Sequence, residues 1–216
     1  MTSGPRLAAC VVALLSAAQA SPAWSMKLHP VAAYTIEYDV GGSKPGNIVE
    51  YSRNHGNQQS RVTDTSMTMA GRTFRENTRV ITEGAKITTI DFQAKTVTRG
   101  ANPFYETLIA RMKGKDAAEF GREMLRAMGH VETDATETIL GETCRVWKNA
   151  QLGAEMCVTS DALTLRNDMA MGGIKVTMRA RALKRGDGGP DSAYTVPAGL
   201  TETQAPDLSK ILGKGR

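Results

Sequence analysis

The strictest alternation of apolar and polar residues in this chain runs from residue 174 to residue 182, and it commits that segment to a β-strand. Apolar side chains occupy the even positions, and basic or hydroxyl side chains occupy the odd positions between them. Successive side chains of a strand point to opposite faces of its sheet. The segment is therefore predicted to have one buried face and one solvated, basic face.

Shorter segments of strand character recur along the chain between Gly, Asn and Pro turn signals. Their spacing of about ten residues is typical of an antiparallel meander. The strands predicted in this way cover residues 34–40, 48–53, 58–63, 66–70, 73–82, 86–92, 95–99, 132–139, 143–149, 153–159, 162–166, 173–182 and 194–196.

A different pattern separates the two groups of strands. Between Pro103 and Gly129 the apolar residues follow helical spacing, with Leu108 and Met112 four residues apart. Proline suits the first position of a helix, and glycine suits the position after its end. Two helices, or one helix broken near Gly114, are predicted here.

Strands, helices and strands in that order predict an α+β fold. A large twisted antiparallel sheet tends to curl, and two helices can cover its concave side. We therefore expect a large curled antiparallel β-sheet with two helices over that side.

The N-terminus has the pattern of a secretory signal peptide. One positive charge precedes an apolar run over residues 7–18, and Ala18-Gln19-Ala20 matches a cleavage site. The run is shorter than the roughly 20 residues that span a bilayer. Cys10 lies within a lipobox-like sequence, but the apolar run mostly follows it, which argues against a lipid-anchored form. A periplasmic location with no transmembrane segment is expected.

The chain is accordingly divided into four parts. Residues 1–20 are the signal peptide, 21–31 a leader, 32–198 a single β-rich domain and 199–216 a flexible tail.

Two cysteines remain after cleavage, and an oxidising compartment favours their pairing. Cys144 and Cys157 are equally distant from a turn at Ala150-Gln151, so a hairpin around that turn places them opposite each other. A disulfide is predicted; two buried free thiols are the alternative.

Two parts of the chain share one pattern of strand, turn and strand. They are residues 81–92 followed by 95–98, and residues 139–147 followed by 155–158 and 163–165; the terminal Tyr194-Thr195-Val196-Pro197 fits as a last strand. This pattern resembles uncharacterised relatives of the periplasmic lipoprotein-localisation carriers (the LolA/LolB-like fold). The resemblance implies an unclosed β-barrel whose open side is covered by helices, with an apolar cavity that holds acyl chains in some members.

The expected function is therefore that of a non-enzymatic periplasmic binding module, monomeric, for a lipid or an acylated protein. The alternative is an envelope structural or interaction protein whose concave side is filled by its own helices. The side chains expected to line the cavity are Tyr34, Ile36, Tyr38, Leu108, Met112, Met124, Ile174, Val176 and Met178.

Catalytic signatures do not stand out in the sequence. His29, His55 and His130 have no zinc-protease spacing, and no serine has the flanking glycines of a nucleophile elbow. We expect no enzymatic activity and no cofactor.

Basic residues give the chain a net charge of +5, which becomes +4 because Arg6 is the only charged residue in the signal peptide. The basic row at 175–181, with Arg166, Lys184 and Arg185, is either a solvated sheet face or a surface for anionic lipid headgroups. Aromatic residues are not interleaved there, so no nucleic acid partner is expected.

Methionine is the one unusual residue count. The pairs Met67/Met69 and Met169/Met171 each place two thioethers on one face of a strand. Such pairs favour a yielding apolar lining, since methionine repacks easily. The alternative is a Cu(I) site, because copper binds soft thioether ligands.

Overall fold

A computed structural model of the chain describes residues 26–204. The predicted signal peptide, with Cys10, lies outside the described residues, as do the first part of the leader and residues 205–216.

Twelve strands and two helices make up the described part of the chain. The strands are β1 (Tyr34–Gly42), β2 (Gly46–Arg53), β3 (Gln58–Met69), β4 (Arg72–Glu83), β5 (Lys86–Asp91), β6 (Thr96–Ala101), β7 (Val131–Ile139), β8 (Glu142–Asn149), β9 (Ala154–Thr159), β10 (Thr164–Met171), β11 (Ile174–Arg185) and β12 (Thr201–Gln204). The helices are α1 (Tyr105–Met112) and α2 (Ala117–Ala127). Short 3₁₀ turns occupy Asn54–Gly56 and Asp191–Tyr194.

All twelve strands belong to one sheet, in the order β12-β6-β5-β4-β3-β2-β1-β11-β10-β9-β8-β7. Every pair of neighbours is antiparallel except β12 and β6, which are parallel. The edge strands β7 and β12 do not pair with each other, so the sheet is not closed. The predicted fold class, an unclosed antiparallel sheet with two helices, is confirmed.

Side-chain contacts show that the part of the sheet from β1 to β7 curls strongly. Strand β10 is three positions from β7, or about 14 Å along a flat sheet. Yet Arg166 of β10 donates to the carboxylate of Glu137 on β7 at 2.6 Å. Arg185 of β11 likewise reaches Glu142 of β8 at 2.6 Å. The curl also brings apolar residues of β1 into one buried cluster with residues of β7, β8, β9 and β10, namely Tyr34, Ile36, Tyr38 and Val40 with Ile139, Cys144, Val146, Cys157 and Leu165.

The helices form a separate cluster with the start of the described chain. Asp116 caps α2 by accepting hydrogen bonds from the backbone N–H of Ala118 and Glu119, at 2.9 and 3.1 Å. Buried residues of both helices then pack with Met26 and Leu28. The break between the helices is where the sequence predicted it, at residues 113–116 around Gly114.

Residues 186–200, which we call the strap, cross the outer half of the sheet. Ser60 of β3 donates its buried hydroxyl to the carbonyl of Ala193 at 2.7 Å. Gly189 approaches Tyr51 so closely that an added Cβ would lie 2.1 Å from the ring. Apolar strap residues cover the buried Ile81, Ile90 and Val97, and they are Tyr194, Val196 and Leu200.

Several predicted boundaries differ from the structure. Residues 58–70 form one long strand, β3, and β10 continues to Met171. The strand predicted at 194–196 is wrong: Tyr194 ends a 3₁₀ turn, and the apolar side chains there serve the strap. The sheet also extends past residue 198, because β12 of the predicted tail pairs with β6. Part of the predicted leader packs on the domain, through Met26 and Leu28.

The predicted disulfide between Cys144 and Cys157 is confirmed, with a Cα–Cα distance of 5.3 Å. The predicted register is wrong by two residues. Cys144 pairs with Thr159 and Val146 pairs with Cys157, because the turn spans residues 150–153. The cysteines therefore face each other diagonally. Both are buried, and a disulfide fits an exported protein.

Reduction of this disulfide should lower the free energy of unfolding by about 3 kcal/mol, the loop-closure entropy of a loop of this size. Urea unfolding with and without reductant measures the difference. A Cys144→Ala/Cys157→Ala variant serves as the control, because its midpoint should not respond to reductant. Equal midpoints for the oxidised and reduced wild-type chain would contradict the expectation.

A buried histidine should make stability depend on pH. Nδ1 of His29 accepts from the Val31 N–H at 3.1 Å, which leaves Nε2–H to donate to the Ala162 carbonyl at 3.3 Å. Burial lowers the pKa of His29 from its ordinary 6.5, although the backbone hydrogen bonds oppose this shift. The unfolded chain therefore binds this proton more readily, so His29 favours the folded state above pH 6.5 and disfavours it as the pH falls further.

A His29→Gln variant should lose this part of the pH dependence. Its free energy of unfolding, measured in urea on both sides of pH 6.5, should fall less on acidification than that of the wild-type chain. The same decrease in both proteins would refute the assignment.

Candidate functional site

A cleft of about 480 Å³ lies between α2 and strands β7–β10. About two turns of α2 form its upper wall, through Ala118, Gly121, Arg122 and Leu125. These positions follow the i, i+3, i+4, i+7 spacing of one helix face. The larger apolar residues of α2, Phe120 and Met124, pack instead in the helical cluster.

Small side chains on this helix face leave the space open. The Cβ of Ala162, in the β9–β10 turn, lies 3.5 Å from where a Cβ on Gly121 would be, so the helix approaches the sheet closely here. The other end of α2 is fixed by Asn149, whose side-chain amide donates to the Met128 carbonyl at 2.9 Å. The cleft is thus held between two anchored helix ends.

The floor of the cleft is apolar at its centre. Thr143, Arg145 and Trp147 share one face of β8 by strand alternation, and all three border the cleft. Trp147 is only 2% exposed, and the guanidinium of Arg126 lies 5.6 Å from its ring centroid. Val158 extends the apolar floor onto β9.

Charged residues border the cleft with an excess of positive charge. Arg122 and Arg145 are its cations, and Glu132 is its one anion. Glu132 is shared, because Arg126 contacts it at 3.2 Å and Arg145 at 3.9 Å. Within residues 26–204, Arg122 forms no ion pair. Hydroxyl groups complete the wall, from Thr136, Thr143, Thr159, Ser160 and Thr164.

The nine residues predicted to line a cavity do not border this cleft, and their role as a cavity lining stays a prediction. Their places in the fold explain why. The large buried cluster contains Tyr34, Ile36, Tyr38 and Met178, and Val176 packs against it. The helical cluster contains Leu108, Met112 and Met124. The remaining residue, Ile174, is 42% exposed. The curl of the sheet brings these core side chains together, so they fill the interior.

The methionine pairs lie on two separate hairpins. Met67 and Met69 are on β3, and Met169 and Met171 are on β10. Each pair shares a strand face as predicted, but β2, β1 and β11 separate the two pairs in the sheet. Residues 26–204 contain no group of three or more His, Cys, Asp or Glu side chains arranged to hold a metal ion.

One buried polar cluster was not predicted from the sequence. Glu50 accepts from the Tyr38 hydroxyl at 3.4 Å and pairs with Arg61 at 2.5 Å. Burial raises the pKa of the Glu50 carboxyl, and Arg61 and Tyr38 oppose that shift. The Tyr38 hydroxyl has one proton, and its shorter contact, of 2.8 Å, is with the Thr164 carbonyl, so this cluster ties β1 to β2 and β10.

The residues of the cleft were missed as well. A usable signal was present in the spacing of Ala118, Gly121, Arg122 and Leu125, which gives α2 a second face that includes two small residues.

The two described helices have 8 and 11 residues, and neither could cross a bilayer.

Comparison with known proteins extends the description of the fold. No family model matches the chain, and no curated protein matches it. Among solved structures, an uncharacterized conserved protein from Thermus thermophilus aligns with a TM-score of 0.52 at 6% identity, over 81% of this chain and 91% of that one.

Two other solved structures align less well. MucB has a TM-score of 0.42 at 10% identity over 82% of this chain, and PNGF-II has 0.42 at 12% over 86%. The chain covers only 63% of the MucB chain and 34% of the PNGF-II chain. At such identities the likeness to the Thermus protein concerns the fold alone. Membership of the lipoprotein-localisation carriers stays a prediction, while the open sheet with two helices that it implied is present.

Proposed function

We propose that this chain is a non-enzymatic periplasmic binding module that holds an amphiphile, a lipid or the acyl group of a modified protein, in the cleft beneath α2. The observation that carries the proposal is the combination of apolar side chains with an excess of positive charge in one cleft. Leu125 offers apolar surface beside the buried Trp147, and Arg122 and Arg145 offer charge-assisted hydrogen bonds to an anionic head group.

The size of the cleft supports such a ligand. Sites for small molecules range from about 300 to 1,000 Å³, and 480 Å³ falls within that range. Each methylene that leaves water contributes about 0.8 kcal/mol, so a chain of six contributes about 5 kcal/mol before ordering costs. The head group supplies orientation, because Arg122 on α2 and Arg145 on β8 are available to bind it.

Export supports the periplasmic part of the proposal. The predicted signal peptide leads the chain out of the cytoplasm, and the buried Cys144–Cys157 disulfide persists in an oxidising compartment. A disulfide of this kind is rare in proteins that stay among cytosolic thiols.

Binding of a fluorescent fatty acid to the delipidated mature chain tests the proposal. Saturable binding at micromolar protein is expected. Arg122→Gln and Arg145→Gln should each weaken binding of the fatty acid about tenfold, because each removes a hydrogen bond to a charged group. Neither should weaken binding of the corresponding uncharged alcohol. Arg179→Gln is the matched control, because it removes the same charge from an exposed position on β11 outside the cleft.

A substitution that fills the cleft tests the same idea by shape. Gly121→Leu places an aliphatic side chain in the opening, and it should abolish binding of both fatty acid and alcohol. Thermal unfolding of the variant shows whether the fold is kept. Ala118→Leu repeats the test from one helical turn earlier. Full binding by two folded, filled variants would refute the cleft as the site.

A second candidate function is favoured by the dense packing of the predicted lining. Four of the predicted lining residues are at most 9% exposed and belong to the same buried cluster, namely Tyr34, Ile36, Tyr38 and Met178. Such packing is what an interaction protein with a self-filled core requires. Failure of the wild-type chain to bind either ligand at micromolar protein would favour this candidate over a carrier of amphiphiles.

A further inference from the structure

We propose that the tips of the β3–β4 and β10–β11 hairpins, which lie at the same end of the sheet, dock this protein onto an anionic lipid surface. The proposal concerns a different surface from the cleft and does not depend on ligand binding there.

Strand register shows that these tips project. Gly46, at the start of β2, pairs with Thr65, so β3 continues for four residues beyond it to Met69. At about 3.3 Å per residue that is roughly 13 Å of hairpin. On the other side, Gly42 at the end of β1 pairs with Val176, and β11 extends beyond it to Ile174. The β3–β4 tip and the β10–β11 tip thus flank the shorter β1–β2 turn.

Large apolar side chains on both tips are exposed. The exposed fractions are 55% for Met69, 50% for Phe74, 57% for Met171 and 42% for Ile174. Solvation of four large apolar side chains at one end of a protein is unfavourable unless something covers them. None of these four side chains belongs to a buried apolar cluster of the described chain.

Both tips present these side chains on one face of the sheet. Met171 pairs with Ile174, and Met67 pairs with Phe74, so each tip has a two-stranded apolar face. Following the register from Ile174 through Tyr38 and Ile48 to Met67 shows that both faces belong to the same side of the sheet. Both tips also lie at the same end of their strands, so one surface placed across that end can meet both.

The charge of the tips favours an anionic surface. Segments 66–75 and 169–175 contain Arg72, Arg75 and Lys175 but no Asp or Glu. These three cations form no ion pair with any residue of the described chain. Apolar side chains flanked by basic ones are the combination that binds at the boundary between acyl chains and anionic headgroups. A second copy of the chain would bring like charges together.

Three of the six cations in the predicted basic row are neutralised and cannot serve this role. Arg166 is only 10% exposed and contacts Glu137, Glu155 and Asp168. Arg181 pairs with Glu37, and Arg185 pairs with Glu142 and Asp161. Lys175, Arg179 and Lys184 form no ion pair within the described chain, and of these three Lys175 lies at the tip.

Co-sedimentation of the mature chain with vesicles tests the proposal. Binding is expected to vesicles of phosphatidylcholine mixed with phosphatidylglycerol, to weaken with added salt, and to be at least tenfold weaker with phosphatidylcholine alone. Met69→Ser/Phe74→Ser and Met171→Ser/Ile174→Ser should each reduce binding at least tenfold. Arg72→Gln/Arg75→Gln/Lys175→Gln should do the same and remove the salt dependence.

Matched controls come from the opposite end of the sheet. Leu140, in the β7–β8 turn, is 47% exposed, and Lys86 begins β5 beside the β4–β5 turn. Leu140→Ser and Lys86→Gln should bind vesicles as the wild-type chain does. Gly121→Leu should also bind normally, which separates this surface from the cleft.

Three results would overturn the proposal. They are no binding to phosphatidylglycerol vesicles, equal binding to both vesicle types, and equal binding by the tip and control variants. Sedimentation velocity adds a further check. A wild-type dimer that the tip variants convert to monomer would assign the surface to self-association instead.

Discussion

The curl of the sheet between β1 and β7 is the constraint on which the rest of the molecule depends. It brings strands that are three and four positions apart into side-chain contact, and it encloses the large core cluster. Ion pairs of Arg166 with Glu137 and of Arg185 with Glu142 join strands that do not pair with each other. The disulfide fixes β8 to β9 in the same region.

The location of the cleft follows from this arrangement. A curl tight enough to join β1 with β8 leaves no room on its inner side, so the core residues fill it themselves. Open space remains where α2 lies on the sheet with its small side chains toward the strands. Asp116 caps the first turn of α2, and Asn149 ties the other end of the helix to β8.

Local patterns predicted much of the fold. Alternation at 174–182 identified β11, and the residues around Gly114 identified the break between the helices. The disulfide pair was also predictable, but the register of β8 and β9 was not. The sequence of residues 150–153 does not indicate whether two or all four of them are unpaired in the turn. The prediction of a strand at Tyr194 and Val196 is wrong because the apolar residues that anchor the strap alternate with polar ones, as the residues of a strand do.

The site was less accessible to such reasoning. Periodicity shows that Tyr34, Ile36 and Tyr38 lie on the buried face of β1. It does not show whether a cavity lies over that face. That depends on contacts between strands distant in sequence, such as β1 with β10. Arg122 and Arg145 become neighbours only because α2 folds back over β8, which no local pattern encodes.

The strap has a consequence for the order in which the molecule can be completed. The first six strands form one half of the sheet early in the chain, yet Ile81, Ile90 and Val97 receive their cover from residues 194–200. Strand β1 also lacks one of its two neighbours until β11 is present. Because a chain is synthesised from its N-terminus, this one first forms an incomplete half-sheet, whose apolar surface and unpaired β6 edge stay open to other chains until the last residues are made.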